Sequence, residues 1–194
     1  MITRRVALLS IALLAVGGIA VFWKPFPPDT TPEGAYMRIA KNVVDERPER
    51  EFAYLETEAQ WACYTIRDMR KQAESRILKS YPEREKADAL AAIHEEAAAA
   101  DGSDIYALYA RRNGFHNRLR RDLSGVAHVE IVGDRATVET ARGTRYPFRK
   151  RENGIWGITL FTAELLAAAQ RATRDLAMVN AAGDDYDRHS SAHP

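Results

Sequence analysis

The sequence predicts an α+β domain carried on an N-terminal transmembrane helix, with several helices packed on one face of a four-stranded antiparallel meander and a further helix at the C-terminus. Three observations predict it. Between Val126 and Leu160, apolar and polar residues alternate in short runs separated by glycine-containing loops, the period-two signature of half-buried strands. Before and after that stretch, apolar residues recur at helical spacing. At the start, an uncharged apolar run from Val6 to Trp23 follows Arg4 and Arg5.

The meander sets its own register. Alternation in its first run puts Ala127, Val129 and Ile131 on one face and His128 and Glu130 on the other. A two-residue turn at Gly133-Asp134 then places Val129 opposite Val138 and Ile131 opposite Ala136, so the apolar sides coincide. For Tyr146 and Phe148 to share the face of Val138, the next loop must have an odd length, most simply Arg142-Gly143-Thr144. Trp156, Ile158 and Leu160 join them if Glu152-Asn153-Gly154 is a three-residue loop with Gly154 in the left-handed position, where a Cβ would be strained. The other face collects His128, Glu130, Thr137, Glu139, Arg145, Arg149 and Arg151, which reads as solvated. Pro147 has no N–H to donate, so a bulge or a lost ladder bond is expected there.

The flanking helices follow from caps and stripes. Thr31 and Pro32 open a helix with Tyr36, Ile39, Ala40, Val43 and Val44 on one side. Pro48 restarts the chain as a short helix carrying Phe52 and Leu55. Thr57 with Gln60 suggests a capping box for the longest helix, striped by Ala62, Ile66, Met69, Ala73 and Ile77 to about Lys79. Pro82 opens a thinly apolar helix with Ala87, Leu90, Ala91 and His94 on one side, stopped by Asp101-Gly102 and expected on the outside. From Ser103 a further helix carries Ile105, Leu108, Tyr109, Arg112, Phe115 and Leu119, with a break at Asn113-Gly114. Thr162 caps the last helix, with Leu165, Leu166, Ala169, Leu176 and Val179, and the polar end from Gly183 to Pro194 is expected to fray.

At 194 residues and 46% hydrophobic content the chain can bury one sizeable core, and 28 basic residues against 27 acidic leave no bulk charge to attract nucleic acid. Cys63 is the only cysteine, so no intrachain disulfide forms. The 18 residues of the apolar run make a helix of about 27 Å, close to the hydrocarbon thickness of a bilayer. Arg4 and Arg5 favour a cytoplasmic N-terminus, giving a single-pass inner-membrane protein with its domain on the extracytoplasmic side and Trp23 at the interface. The alternative is cleavage of a signal peptide near Ala20, leaving a secreted or periplasmic domain, although the run exceeds the usual signal core and no Ala-x-Ala follows it. The run has no lipoprotein cysteine and no two small residues four apart, so it reads as a tether. The organisation is therefore an anchor over residues 1–23, a Pro-rich linker over 24–31 acting as a stiff spacer, a domain over 32–182, and a polar tail over 183–194.

Helices followed by a twisted meander, with Gly133-Asp134-Arg135-Ala136-Thr137-Val138 and Glu152-Asn153-Gly154-Ile155-Trp156-Gly157-Ile158 in it, resembles the cone-shaped α+β fold of the nuclear transport factor 2-like superfamily over about residues 32 to 160. That resemblance implies a cone-like domain of a superfamily that includes isomerase-like enzymes, binders of lipids or small ligands, and scaffolding domains. Its membrane-anchored bacterial members include the inner-membrane bridging component of type IV secretion systems, whose architecture is similar. The helical material from Pro82 to Leu123 and the helix after Thr162 depart from the family pattern. No family catalytic motif matches residue by residue, and fold alone does not give function.

Candidate chemistry is sparse. Trp61, Tyr64, Phe115, Tyr146, Phe148 and Trp156 are the residues placed to line a cone pocket, although aromatic residues at core spacing are more often simply core. Arg111, Arg112, Arg118, Arg120 and Arg121 put five arginines in eleven residues, a patch for anionic lipid or an acidic envelope protein, or else an ordinary solvated face. His128 and Glu139 face one another across the hairpin and could form a base with its orienting partner, but a solvated cross-strand pair is the more economical reading. His94 lacks a second histidine four residues on and reads as a packing residue. Asp184, Asp185, Asp187, His189 and His193 could gather a weak cation, but a disordered acidic tail explains them more simply. No cofactor or metal site is expected. Asp68 and His116 are the helix-borne residues an enzyme would use as a base. The reading ranked first is a tethered, non-catalytic interaction or scaffold domain of the cell envelope, followed by a binder of a small apolar ligand in a cone pocket and then by an isomerase-like enzyme.

Overall fold

The computed structural model describes residues 26–192. The expected anchor and the first two linker residues lie outside the described residues, as does His193. Among the described residues no helix is long and apolar enough to cross a membrane. The elements are α1 (Pro32–Val44), α2 (Pro48–Glu51) continued by a 3-10 turn (Phe52–Tyr54), α3 (Thr57–Ser80), α4 (Glu83–Ala91), α5 (His94–Ala97), α6 (Gly102–Arg112) and α7 (Phe115–Asp122). After them come β1 (Val126–Val132), β2 (Arg135–Thr140), β3 (Arg145–Lys150), β4 (Trp156–Ile158) and α8 (Thr162–Ala192). The four strands form one antiparallel sheet in chain order, so the fold is α+β with a meander and a closing helix.

The first hairpin has the expected register, Val129 opposite Val138 and Ile131 opposite Ala136. The third turn also follows expectation: Lys150 faces Trp156 and Gly154 sits at φ +83°, where only a glycine is unstrained. The second loop is placed one residue earlier than the simplest expectation. Val138 faces Tyr146 and Thr140 bonds Thr144, so the loop is Ala141-Arg142-Gly143. Parity is preserved and the same side chains face inwards, while Gly143 takes the third loop position at φ +80°. Pro147 causes no bulge in its pairing with β2. Its carbonyl accepts from Thr159 on the β4 side. The Thr137–Pro147 pair is therefore one in which no ladder bond is due, and the missing N–H falls where β4 has ended.

Ala136, Val138, Tyr146, Phe148, Trp156 and Ile158 form the buried side of the sheet and meet Ile39, Val43, Ile66, Ile105, Phe115, Phe161 and Leu165 from the helices. The edge strand departs from expectation. Ile131 and Val132 are 56% and 68% exposed and Ala127 is also exposed, because the helical layer reaches β1 only near its start. Arg151, expected on a solvated face, is half-buried and donates to the Ala53 carbonyl at 2.7 Å.

Thr31 caps α1 by accepting from the Gly34 N–H at 3.1 Å, as its position predicts. Val44, placed in the buried stripe from sequence, is 67% exposed. Thr57 is the first residue of α3 and makes no cap bond; Glu56 holds the cap position and Gln60 donates to the Phe52 carbonyl. Asp101 starts a helix and does not end one. Its side chain accepts from Ser103 and Asp104 while Asp104 accepts from Asp101, a reciprocal capping box that opens α6. The segment before it is two short helices, α4 with no buried residue and α5, and His94 is exposed while Ile93, Glu96 and Ala97 turn inwards.

The linker and the tail are both tied down. Trp156 donates its backbone N–H to Asp29 at 3.2 Å and its indole N–H to Thr30 at 3.1 Å, and Arg38 donates to Pro27. A Cβ on Gly34 would stand 2.0 Å from the Pro28 carbonyl, so the close seating of residues 27–31 requires glycine there. The tail does not fray at Gly183, because α8 runs on to Ala192. α8 lies parallel to α3, with Arg70 paired to Asp175 at 2.8 Å, Arg76 to Asp184 at 2.5 Å and to Asp187 at 3.0 Å, and the Tyr81 and Tyr186 rings edge to face. α8, with 31 residues, is thus longer than the 24-residue α3.

Trp156 is 4% exposed and holds both the sheet and the linker. Its replacement by alanine should cost about 3 to 5 kcal/mol of unfolding free energy in a denaturant titration. A loss within about 0.5 kcal/mol, the range of surface changes, would contradict the register of β4.

Candidate functional site

The six aromatic residues proposed to line a cone pocket do not come together around a chamber. Phe115 stacks on Phe161 with ring centroids 4.2 Å apart, Tyr146 packs on Tyr36 at 5.3 Å, and Phe148 and Trp156 are buried in the same core. Trp61 and Tyr64 lie elsewhere, on the outer side of α3. Trp61 is 69% exposed, and Tyr64 meets the edge of Phe52 with Arg67 over its own ring. The Tyr146 hydroxyl is buried without a hydrogen-bond partner among the described residues. Burial pushes its pKa up to about 12, so it stays protonated near neutral pH and does not act as a base.

The carboxylates with unusual surroundings are ones that the sequence did not single out. Glu51, 1% exposed at the end of α2, accepts from the Tyr106 hydroxyl at 2.9 Å and lies 3.0 Å from Nδ1 of His116. Glu96 accepts from Arg70 at 2.7 Å, from Arg112 at 2.9 Å and from the Tyr109 hydroxyl at 3.0 Å. Glu56 accepts from the Thr162 hydroxyl, which is thereby bound to α3 and not to its own helix end. Each carboxylate joins helices distant in sequence. His116, weighed as a possible base, is thus the outer member of a buried His–Glu–Tyr cluster, whereas Asp68 is a surface partner of Arg67 at 2.7 Å. His128 and Glu139 face one another in register but share no side-chain bond among the described residues.

Four of the five patch arginines have carboxylate partners. Arg112 binds Glu95 and Glu96, Arg118 binds Glu164 at 2.7 Å, Arg120 binds Glu46 at 2.9 Å, and Arg121 lies 3.7 Å from Asp122. Arg118 also lies over the Phe115 and Phe161 rings. Arg111 is exposed with no ion pair among the described residues. Most of the positive charge is therefore locally balanced. The acidic tail gathers no metal-binding group among the described residues; Asp184 and Asp187 are held by Arg76 and Asp185 by Arg188.

Two of the open surfaces among the described residues are roomy enough for a ligand. One is an apolar groove of about 640 Å³ between α1 and the α7–β1 connection, lined by Phe26, Tyr36, Met37, Ala40, Val44 and Leu123 with Lys41 at its rim. The other is a polar cleft of about 630 Å³ beside Trp61, between the start of α3 and the β3–β4 loop. No family model, curated protein or solved structure matches the chain. The functional reading therefore rests on these surfaces. The groove offers mainly apolar contact, with Glu33, Lys41 and Asp45 as its charged groups, the composition of a binding surface for a lipid chain or an apolar protein segment. The polar cleft places the exposed Trp61 beside Glu56, Glu58, Arg149 and Arg151.

The Glu51 cluster makes a pH-dependent contribution whose sign is fixed. Burial raises its carboxyl from 4.5, while the bonds from Tyr106 and His116 oppose that shift. A carboxyl raised in the folded state binds its proton more tightly folded than unfolded. Its stabilising share is complete below the unfolded value and is lost as pH rises through the folded one. The stability of the parent relative to Glu51→Gln should therefore be greater at pH 4 than at pH 7 in paired denaturant titrations. Parallel curves would show that Glu51 does not titrate this way.

Proposed function

We propose that this chain is a membrane-tethered interaction domain of the cell envelope, non-catalytic, held on the extracytoplasmic side by residues 6–23 and built on a cone-like domain of the nuclear transport factor 2-like type. The observation that carries this reading is the docking of residues 27–31 on the domain, which leaves three residues, 24–26, between Trp23 and the docked segment. Three residues reach at most about 11 Å. Phe26 is itself part of the groove wall. An anchor in the bilayer would thus hold the apolar groove at the membrane surface, where acyl chains and the segments of other anchored proteins are concentrated. The filled interior of the cone also favours surface contact over chemistry on an enclosed substrate.

The groove supports a second reading, binding of a small apolar ligand, with the site moved from the cone interior to the outer side of α1. Its volume falls in the range of ligand sites, about 300–1,000 Å³.

Protease added to intact spheroplasts should digest the domain while the chain stays in the membrane fraction through a high-salt wash. Protection from protease would overturn the topology, and a mature N-terminus near Val21 would replace the anchor by a cleaved signal. For the second reading, native mass spectrometry of the purified full chain should show a co-purifying apolar adduct that Ala40→Trp, which fills the groove, removes. Equal adduct on both proteins would exclude the groove as its site.

A further inference from the structure

β1 is an open edge of the sheet. β2 occupies one side of it, and no segment pairs with the other among the described residues. Because Val132, Glu130 and His128 face Arg135, Thr137 and Glu139 in the bonded positions of the hairpin, Val129 and Ile131 point their N–H and C=O groups outwards. Neither makes a backbone bond beyond the hairpin. Natural edges are usually blunted by lysine, proline or a covering element. β1 has neither residue, exposes Ile131 and Val132, and carries only a bulge near its start, between Val126 and His128.

We propose that β1 pairs antiparallel with β1 of a second copy of this chain, about a two-fold axis through Val129, joining two four-stranded sheets into one. The strand is complementary to its own reverse. Centred on Val129, His128 of each copy stands opposite Glu130 of the other, and the bulge between Val126 and His128 ends the regular pairing on either side. The outward groups of Val129 meet each other across the axis in a bonded pair. His128 and Glu130 then fall in the closely spaced, non-bonded positions where opposite charges meet best. Shifting the axis to Glu130 also pairs the outward groups, but sets Glu130 against Glu130, which repels. Between these two registers, charge favours the one centred on Val129. Such a two-fold contact closes on itself, so it yields a dimer and not a fibre. The inference does not depend on membrane anchoring, although two copies anchored in one bilayer would meet at a raised effective concentration.

The test uses the full chain purified in detergent. Val129→Cys should form a disulfide-linked dimer under mild oxidation, because facing residues in bonded positions have Cα atoms about 5.5 Å apart, within disulfide reach. Cys63 is fully buried, so the parent chain is the blank. Glu130→Cys should not link, since in this register the two copies of that residue are diagonal neighbours about 7–8 Å apart. Ile131→Pro removes only an outward N–H and is tolerated on an edge. It should keep the parent's melting temperature while raising the dimer dissociation constant at least tenfold in sedimentation equilibrium. A parent that stays monomeric at every concentration, a Glu130→Cys chain that links in preference to Val129→Cys, or a folded Ile131→Pro chain that dimerises like the parent would each overturn the proposal. Success of the cross-link with failure of the spheroplast assay would leave the dimer and remove the anchor.

Discussion

The side-by-side packing of α3 and α8 is the constraint on which the rest of the domain depends. The two helices run parallel, so their dipoles are aligned and like ends lie together, an unfavourable arrangement. Burial outweighs it. Ile66 and Ile77 on α3 and Leu165 and Leu176 on α8 are inside, each worth about 1.5–3 kcal/mol when removed from water. The helices approach closely because their facing sides carry Ala59, Ala62, Cys63 and Ala73 against Ala168, Ala169 and Ala172. Arginines on α3 then meet aspartates on α8 along the length of the pair. The nearer half of this pair joins the main core with α1, which lies against β1, β2 and β4, while the farther half holds a satellite cluster of Ala73, Ile77, Ile93 and Leu176.

The meander was legible because a period of two leaves little freedom: a one-residue slip would turn every core side chain outwards. Parity could not choose between Ala141-Arg142-Gly143 and Arg142-Gly143-Thr144, since both are odd and both bury Tyr146 and Phe148. The reasoning applied to Gly154 would have chosen. Both three-residue loops end on a glycine at positive φ, Gly143 and Gly154 alike. The tail was not legible as a helix because its docking is polar, through Asp184, Tyr186 and Asp187, and leaves no apolar stripe. Asp101-Gly102 carried the signs of a stop and of a start together; the deciding sign was Asp104, three residues on.

The candidate sites were less legible than the fold for a related reason. Burial of Glu51 depends on Tyr106 and His116, more than fifty residues away. The balancing of the arginines likewise depends on Glu46 and Glu164, on other helices. Local spacing does not report such partners. Glu96 is a partial exception. It lies three residues after Ile93 and beside Ala97, both buried, and helical spacing alone would have turned it inwards. The aromatic residues divided along the same line. Those in strands were fixed by parity, whereas Trp61 and Tyr64 sit on the face of α3 turned away from the Ala62–Ile66 stripe.

Trp156 grips the linker through two carbonyls, Asp29 and Thr30, and thereby couples the sheet to the chain entering from the N-terminus. A pull on that entering chain would load the hydrogen bonds at Trp156 directly, on β4, the last strand of the sheet. The domain would resist small forces as a rigid body. Under larger ones it would yield first by peeling residues 27–31 away from β4, which lengthens the stalk by about 3.3–3.6 Å per residue released while the helical core stays folded. The seat of the linker would thus act as a mechanical fuse between the entering chain and the domain.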